Sequence, residues 1–152
     1  MEWVDEKEFL AVPSALEEIL AWSNKHVATL LKDKKAKMRM RLAIEEAIVN
    51  VVRYAYAESK EEPVLKLKIG KYENGICYEM RDRGKPFNPI ENITANPNLK
   101  LFERTVGGWG RAIMVSFTDD ITYAYEDGWN KLAMYKKDQA QALVNRIGEK
   151  EK

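Results

Sequence analysis

The sequence predicts an α+β fold, a two-layer sandwich whose helices pack on one face of a mixed, mostly antiparallel sheet. Two early stretches, roughly 14–31 and 35–57, carry apolar residues at helical spacing. The pattern then changes to alternation over Val64–Ile69, where Val64, Leu67 and Ile69 stand among Lys66 and Lys68. Asn74-Gly75 supplies a hairpin signal before the partner run Ile76–Arg81.

Taken in order, Phe9–Val12 reads as a short strand. Pro13-Ser14 opens the first helix, with Ser14 and Glu17 in capping-box spacing and Leu16, Ile19, Leu20, Val27, Leu30 and Leu31 on its apolar stripe. Lys32–Lys37 reads as a basic turn, and the second helix buries Met38, Leu42, Ala43, Ile44, Ala47, Ile48 and Val51. After Glu61-Glu62-Pro63 comes the first hairpin, turning at Glu73-Asn74-Gly75. Positions 82–106 are rich in Gly, Pro and Asn, a length that compact domains reserve for functional lids. Gly107-Gly108-Trp109-Gly110 leads into a helix through Phe117. Asp119–Tyr125 and Trp129–Lys136 form a second hairpin about Asp127-Gly128, and a short helix near 138–147 closes the chain. No repeat or low-complexity linker divides the 152 residues, so one domain over 1–152 is expected.

Composition excludes several classes. With 25 basic and 24 acidic side chains the formal net charge is +1, which argues against a protein built to grip nucleic acid. One cysteine, Cys77, and one histidine, His26, rule out an internal disulfide and multi-cysteine or two-histidine metal sites. Cys77 lies within a strand-like run and reads as a small buried hydrophobe; His26 reads as a packing or surface residue. No apolar run reaches the ~18–20 residues that span a bilayer, and the acidic start Met1–Glu6 lacks a signal-peptide core. A cytoplasmic, non-membrane protein is expected.

Three segments carry chemistry. Glu46 and Asn50 stand one helical turn apart and project from one otherwise apolar face. An Asn amide oxygen is a hard, neutral ligand suited to Mg²⁺, which keeps waters and substrate phosphates as its other ligands. A carboxylate one turn away can accept a proton from a hydroxyl or water nearby. Asp82-Arg83-Gly84-Lys85-Pro86-Phe87-Asn88-Pro89 ends a strand, and its carboxylate can accept from a ligand amino group such as adenine N6. Gly107-Gly108-Trp109-Gly110 precedes a helix N-terminus, where backbone N–H groups can approach phosphate, and Arg104 adds a guanidinium at its edge. The glycines fit neither the Walker pattern nor the dinucleotide fingerprint.

In their order and spacing these blocks resemble the histidine-kinase-like ATPase superfamily, the Bergerat fold. More narrowly, the sequence is similar to the anti-sigma-factor serine kinases of the RsbW-like family. The carrying residues are Glu46–Asn50 with Tyr54-Ala55-Tyr56, then Asp82–Pro89, then Gly108–Met114 continuing through Asp119, Ile121 and Tyr123 to Gly128, Asn130, Leu132 and Lys136. The resemblance implies ATP and Mg²⁺ as cofactors, with Asn50 on the metal and Glu46 as the general base toward a protein serine. It implies Asp82 on adenine N6, Gly84 letting the base pack close, and Phe87 in the nucleotide site. It places Gly108 and Gly110 at the lid hinge and phosphates, and Arg104 on the terminal phosphates. Partners implied are a sigma factor and a STAS-type anti-anti-sigma protein, with a homodimer and no direct nucleic-acid contact. Trp109 stands where relatives often carry Arg, and Lys131 and Ala133 occupy the place of a small hydroxyl residue, so the second adenine contact stays unassigned. A non-catalytic module that senses ATP or ADP is the alternative. The Lys32–Arg41 basic cluster reads as a solvated face or a dock for an acidic partner, and Trp3, Trp22 and Trp129 as packing or interface residues.

Overall fold

The structure, a computed structural model, describes residues 1–91 and 108–138. Strand β1 (Glu2–Leu10) is followed by a 3-10 turn (Pro13–Ala15), helix α1 (Leu16–Leu30) and helix α2 (Lys34–Asn50). A π-helical turn (Val51–Ala55) continues α2. Then come β2 (Val64–Tyr72), β3 (Gly75–Asp82), α3 (Gly108–Phe117), β4 (Asp120–Glu126) and β5 (Trp129–Lys137). The five strands form one sheet in the order β1-β2-β3-β5-β4, and all neighbouring pairs are antiparallel.

Register decides the core. Leu65, Leu67 and Ile69 oppose Asp82, Met80 and Tyr78 on one face of the sheet, and Met134 and Leu132 oppose Tyr78 and Met80 on the next pair. The buried faces of the helices, Ile19 and Val27 from α1, Met40, Ile44 and Ile48 from α2, and Met114 from α3, complete the apolar layer. The polar contact within it, Ser23 Oγ to Tyr78 Oη at 2.8 Å, satisfies a phenol that is fully buried.

Several elements differ from the sequence expectation. The first strand runs over Glu2–Leu10 rather than Phe9–Val12, because β2 pairs its lysines against the glutamates of β1: Glu6 opposes Lys68 and Glu8 opposes Lys66. Ser14 does not cap α1; Pro13 starts a 3-10 turn that contains Ser14, and Ala15 takes the cap position without a side-chain bond. The Lys32–Lys37 segment is mostly helix, because Asp33 Oδ2 accepts from Ala36 N at 2.8 Å and starts α2 at Lys34. Met38 and Leu42, expected on the buried side of this helix, are exposed on it. The first hairpin turns on Glu73-Asn74 alone, with Glu73 at φ 52°. Gly75 already belongs to β3, where a Cβ would strike the Lys136 backbone of β5. Asp127 and Gly128, at φ 54° and 85°, form the second turn as expected. The closing helix near 138–147 and most of the expected lid lie outside the described residues.

Candidate functional site

A cavity of about 400 Å³ opens between the end of α2, its π turn, the exit of β3 and the first turns of α3. Asn50, Val51, Tyr54 and Ala55 wall it on the helical side. Asp82, Lys85, Pro86 and Phe87 come from the strand exit, Arg111 and Met114 from α3, and Tyr123, Asn130 and Leu132 from the last hairpin. The sequence-predicted Asn50, Asp82 and Phe87 therefore share one wall-to-wall space.

Asp82 is 6% exposed, yet among the described residues it is hydrogen-bonded on one oxygen only. Its Oδ1 accepts from Gly84 N at 2.9 Å and from Asn130 Nδ2 at 3.0 Å, whereas no bond among the described residues falls on Oδ2. Burial pushes this carboxyl above the usual carboxylate range, and the two hydrogen bonds pull it only partly back. The result is a fixed acceptor at the cavity wall that prefers a donor to solvent.

Asn130 explains why the carboxylate is fixed. It lies directly opposite Asp82 in the β3–β5 register. Its Nδ2 also donates to the carbonyls of Gly84, at 3.2 Å, and Lys85, at 3.1 Å. Its Oδ1 accepts from Phe87 N at 3.2 Å and from the Tyr123 hydroxyl. One amide thus ties the whole 82–87 turn to β5. From the other side Tyr56 Oη donates to Val64 O and accepts from Arg83 N, each at 2.6 Å.

Gly84 is held against the π turn: a Cβ there would overlap the carbonyl of Ala55, and Lys85 N donates to that same oxygen at 3.0 Å. The π turn, a geometry found often at functional sites, carries the chain from Asn50 to this contact and so joins the two sides of the cavity. Arg111, on α3, donates from Nε to Pro89 O at 2.7 Å and from Nη2 to Glu91 O at 2.8 Å, with its guanidinium 5.5 Å from the centre of the Phe87 ring. It anchors the segment leaving Phe87 to the helix of the glycine block.

Glu46 sits one turn before Asn50, half-buried, beside the first turn of α3. Gly108 and Gly110 belong to that turn rather than to a loop before it. Gly110 and Glu46 lie so close that a Cβ on Gly110 would displace Glu46 Oε2. Burial and the neighbouring Glu45 both raise the carboxyl of Glu46, opposed by Arg53. Arg104 and Gly107 lie outside the described residues. The sequence motifs contain Asn130, Arg111, Lys85 and Tyr123 but assign none of them a role in the site; only the β3–β5 register sets Asn130 opposite Asp82.

Among the described residues no group of three or more His, Cys, Asp or Glu side chains could hold a metal ion. The donor set instead fits a hard cation that arrives with its own oxygen ligands and takes one neutral oxygen from the protein, which Asn50 offers. No helix of the described residues is long and apolar enough to cross a membrane.

An α+β domain whose buried acidic acceptor and helix-borne amide line one cavity has the form of a nucleotide site. The chain belongs to the histidine kinase-like ATPase domain family, whose model matches residues 9–136, and ATP binding follows from that membership. Among solved structures, the RsbU and RsbW domains of Rv1364c from Mycobacterium tuberculosis superpose with a TM-score of 0.59 at 15% identity, covering 88% of this chain and 32% of that one. The present chain thus spans about a third of that protein. The SiaB–SiaC complex from Pseudomonas aeruginosa gives a TM-score of 0.59 at 13% identity, covering 89% of this chain and 90% of the matched one. At such identities the likeness is one of fold. No curated protein sequence matches the chain.

Proposed function

We propose that this domain binds ATP with Mg²⁺ in the described cavity, transfers the terminal phosphoryl group to a serine of a STAS-type anti-anti-sigma protein, and otherwise holds a sigma factor. It would act in the cytoplasm as a homodimer. The observation that carries the nucleotide assignment is the Asp82 carboxylate, buried in the cavity wall at the strand exit, with two bonds on Oδ1 and none on Oδ2 among the described residues. Adenine N6 is a donor of the kind such an acceptor selects. Phe87 would flank the base, while Asn50 would hold the cation and Arg104, Gly108 and Gly110 would serve the phosphates.

Bound Mg²⁺ would neutralise phosphate charge, the dominant need in phosphoryl transfer. Glu46 would accept the serine proton as the hydroxyl oxygen bonds to the terminal phosphorus and the bond to the departing ADP oxygen breaks. Its raised pKa leaves it a stronger base than an exposed carboxylate. The choice of a protein serine rests on the motif resemblance. The test is incubation with γ-labelled ATP and a purified STAS-type protein: label should transfer with wild type and disappear with Glu46→Gln while ATP still binds. Normal transfer by Glu46→Gln would remove the base assignment.

A second reading, a non-catalytic nucleotide-sensing module, is favoured by one observation. The Glu46 carboxylate abuts Gly110 and is not among the residues of the cavity wall. Partner binding that changes between ATP and ADP, with no label transferred, would select it.

A further inference from the structure

The N-terminal half of α2 carries an arrangement that neither the cavity nor the core explains. Between Lys32 and Arg41 stand Lys32, Lys34, Lys35, Lys37, Arg39 and Arg41 against the single acid Asp33, in a chain whose formal net charge is only +1. The first turn of α2 contains no acidic residue. Cations there oppose the partial positive charge of a helix N-terminus, so the placement is locally unfavourable. Among the described residues none of the six basic side chains makes an ion pair; Arg39 alone is engaged, 5.8 Å from the Phe117 ring centre.

The same ridge exposes apolar groups. Met38 is 52% and Leu42 38% exposed, four residues apart and so one above the other on the helix surface. Lys34, Lys35 and Arg41 flank them, and Glu45 marks the far end of the ridge. A purely solvated face needs neither the apolar pair nor cations set against the dipole. Local rules broken without compensation inside the fold are expected where a partner supplies the compensation.

We infer that this ridge docks an acidic segment of a protein partner, with one or two apolar side chains of that segment seated on Met38 and Leu42. The charge gradient along α2 orients the segment: acids are drawn to Lys34, Lys35 and Arg41 and turned away from Glu45 and Glu46. Two apolar side chains suit a peptide anchor and are too few for insertion into a bilayer. No aromatic side chain stands on the ridge to stack a base. Met38 and Glu46 are eight residues apart on one helix, about 12 Å along its axis. A segment docked on the ridge therefore lies close to the end of α2 that meets the cavity. The inference deepens the proposed function and rests on it only in taking the partner to be the protein acted upon.

The test uses the full chain and a fluorescein-labelled, helix-forming peptide of about 16 residues bearing glutamates around two leucines at i and i+4. Anisotropy should report saturable binding by wild type. Lys34→Glu, Lys35→Glu and Arg41→Glu combined should weaken it at least tenfold, and Met38→Gln with Leu42→Gln at least fivefold. Two of the three new acids fall in the first turn and agree with the helix dipole, offsetting the like charge that Arg41→Glu sets beside Glu45, so the charge-reversed variant should melt near the wild-type temperature, which certifies its folding. Its thermal shift with ATP should equal that of wild type, while Asn50→Ala should lose that shift and still bind the peptide. Failure of the nucleotide reading would thus appear separately from failure of this one. Equal affinity for a leucine-free acidic peptide, unchanged binding after charge reversal, or binding only to phosphatidylglycerol vesicles or duplex DNA would each overturn the docking assignment.

Discussion

Asp82→Asn is the most informative single change, because the structure dictates which way the new amide must face. Gly84 N and Asn130 Nδ2 both donate to Oδ1, at 2.9 and 3.0 Å. An asparagine at this position keeps both bonds only with its carbonyl oxygen there, which turns its NH₂ toward the cavity. ATP then loses a charge-assisted acceptor for N6, worth about 1.5–3 kcal/mol, and meets a donor in its place, which leaves buried donors unpaired at about 1–3 kcal/mol. The combined loss of about 2.5–6 kcal/mol corresponds to roughly 60- to 20,000-fold in affinity. Inosine triphosphate, whose O6 is an acceptor, should now bind more tightly than ATP.

Stability should move the other way. Burial, the larger influence, raises the Asp82 carboxyl above its ordinary value despite the two bonds. A raised carboxyl contributes stability that is present below its unfolded pKa and lost as pH rises through its folded one. At neutral pH the charged Asp82 therefore costs stability, and neutral asparagine removes that cost. The nucleotide-free variant should melt at or above wild type at pH 7, with the difference narrowing toward the ordinary carboxylate range. Calorimetric titration with ATP and ITP, beside melting curves at several pH values, checks both parts. ATP affinity within about threefold of wild type in a folded variant would refute the assignment of Asp82 to the base.

Other expected outcomes follow from the neighbouring contacts. Glu45→Gln removes one of the two influences that raise Glu46, so label transfer should persist to lower pH than in wild type, read from the pH–rate profile. Gly110→Ala places a methyl on Glu46 Oε2; transfer should fall at least tenfold while ATP affinity, read by titration, changes far less. Asn130→Ala strands the 82–87 turn, and urea denaturation should show a loss of about 2–4 kcal/mol, typical of breaking a buried hydrogen-bond network.

The two long early helices, the helix of the glycine block and both hairpins were legible because their cores obey simple periodicity. Ile44, Ala47 and Ile48 repeat at helical spacing, and Leu65, Leu67 and Ile69 alternate, so burial on one face is written into the residue order. Strand β1 was not, since Glu2–Glu8 is exposed at every position and owes its pairing to lysines some 60 residues away on β2. Asp82 and Asn50 were legible as polar residues at apolar boundaries. Asn130 could not be weighed from sequence alone, because its meaning depends on register: only the alignment of β3 with β5 sets it against Asp82. The π turn was equally hidden, as Val51–Ala55 reads like any continuation of a helix.

That turn decides how the site behaves as a unit. One side of the cavity is built on β3 and β5, the other on α2, and sequence alone gives no reason for them to hold a fixed separation. The structure supplies one through short-range contacts. Ala55 O receives Lys85 N and presses on Gly84, while Tyr56 Oη bridges Val64 O and Arg83 N. Asn50 and Asp82 are thereby tied through five residues of helix and one turn, and not only through the 31 residues of chain between them. Arg111 extends the same principle to α3 by gripping Pro89 and Glu91. A ligand that spans from Asp82 to Asn50 meets groups already at their distance, so little of its binding energy is lost to ordering the protein. Asn130 and Tyr56, which touch no reacting atom in the proposed chemistry, are for this reason expected to govern nucleotide affinity as strongly as the residues that contact the nucleotide itself.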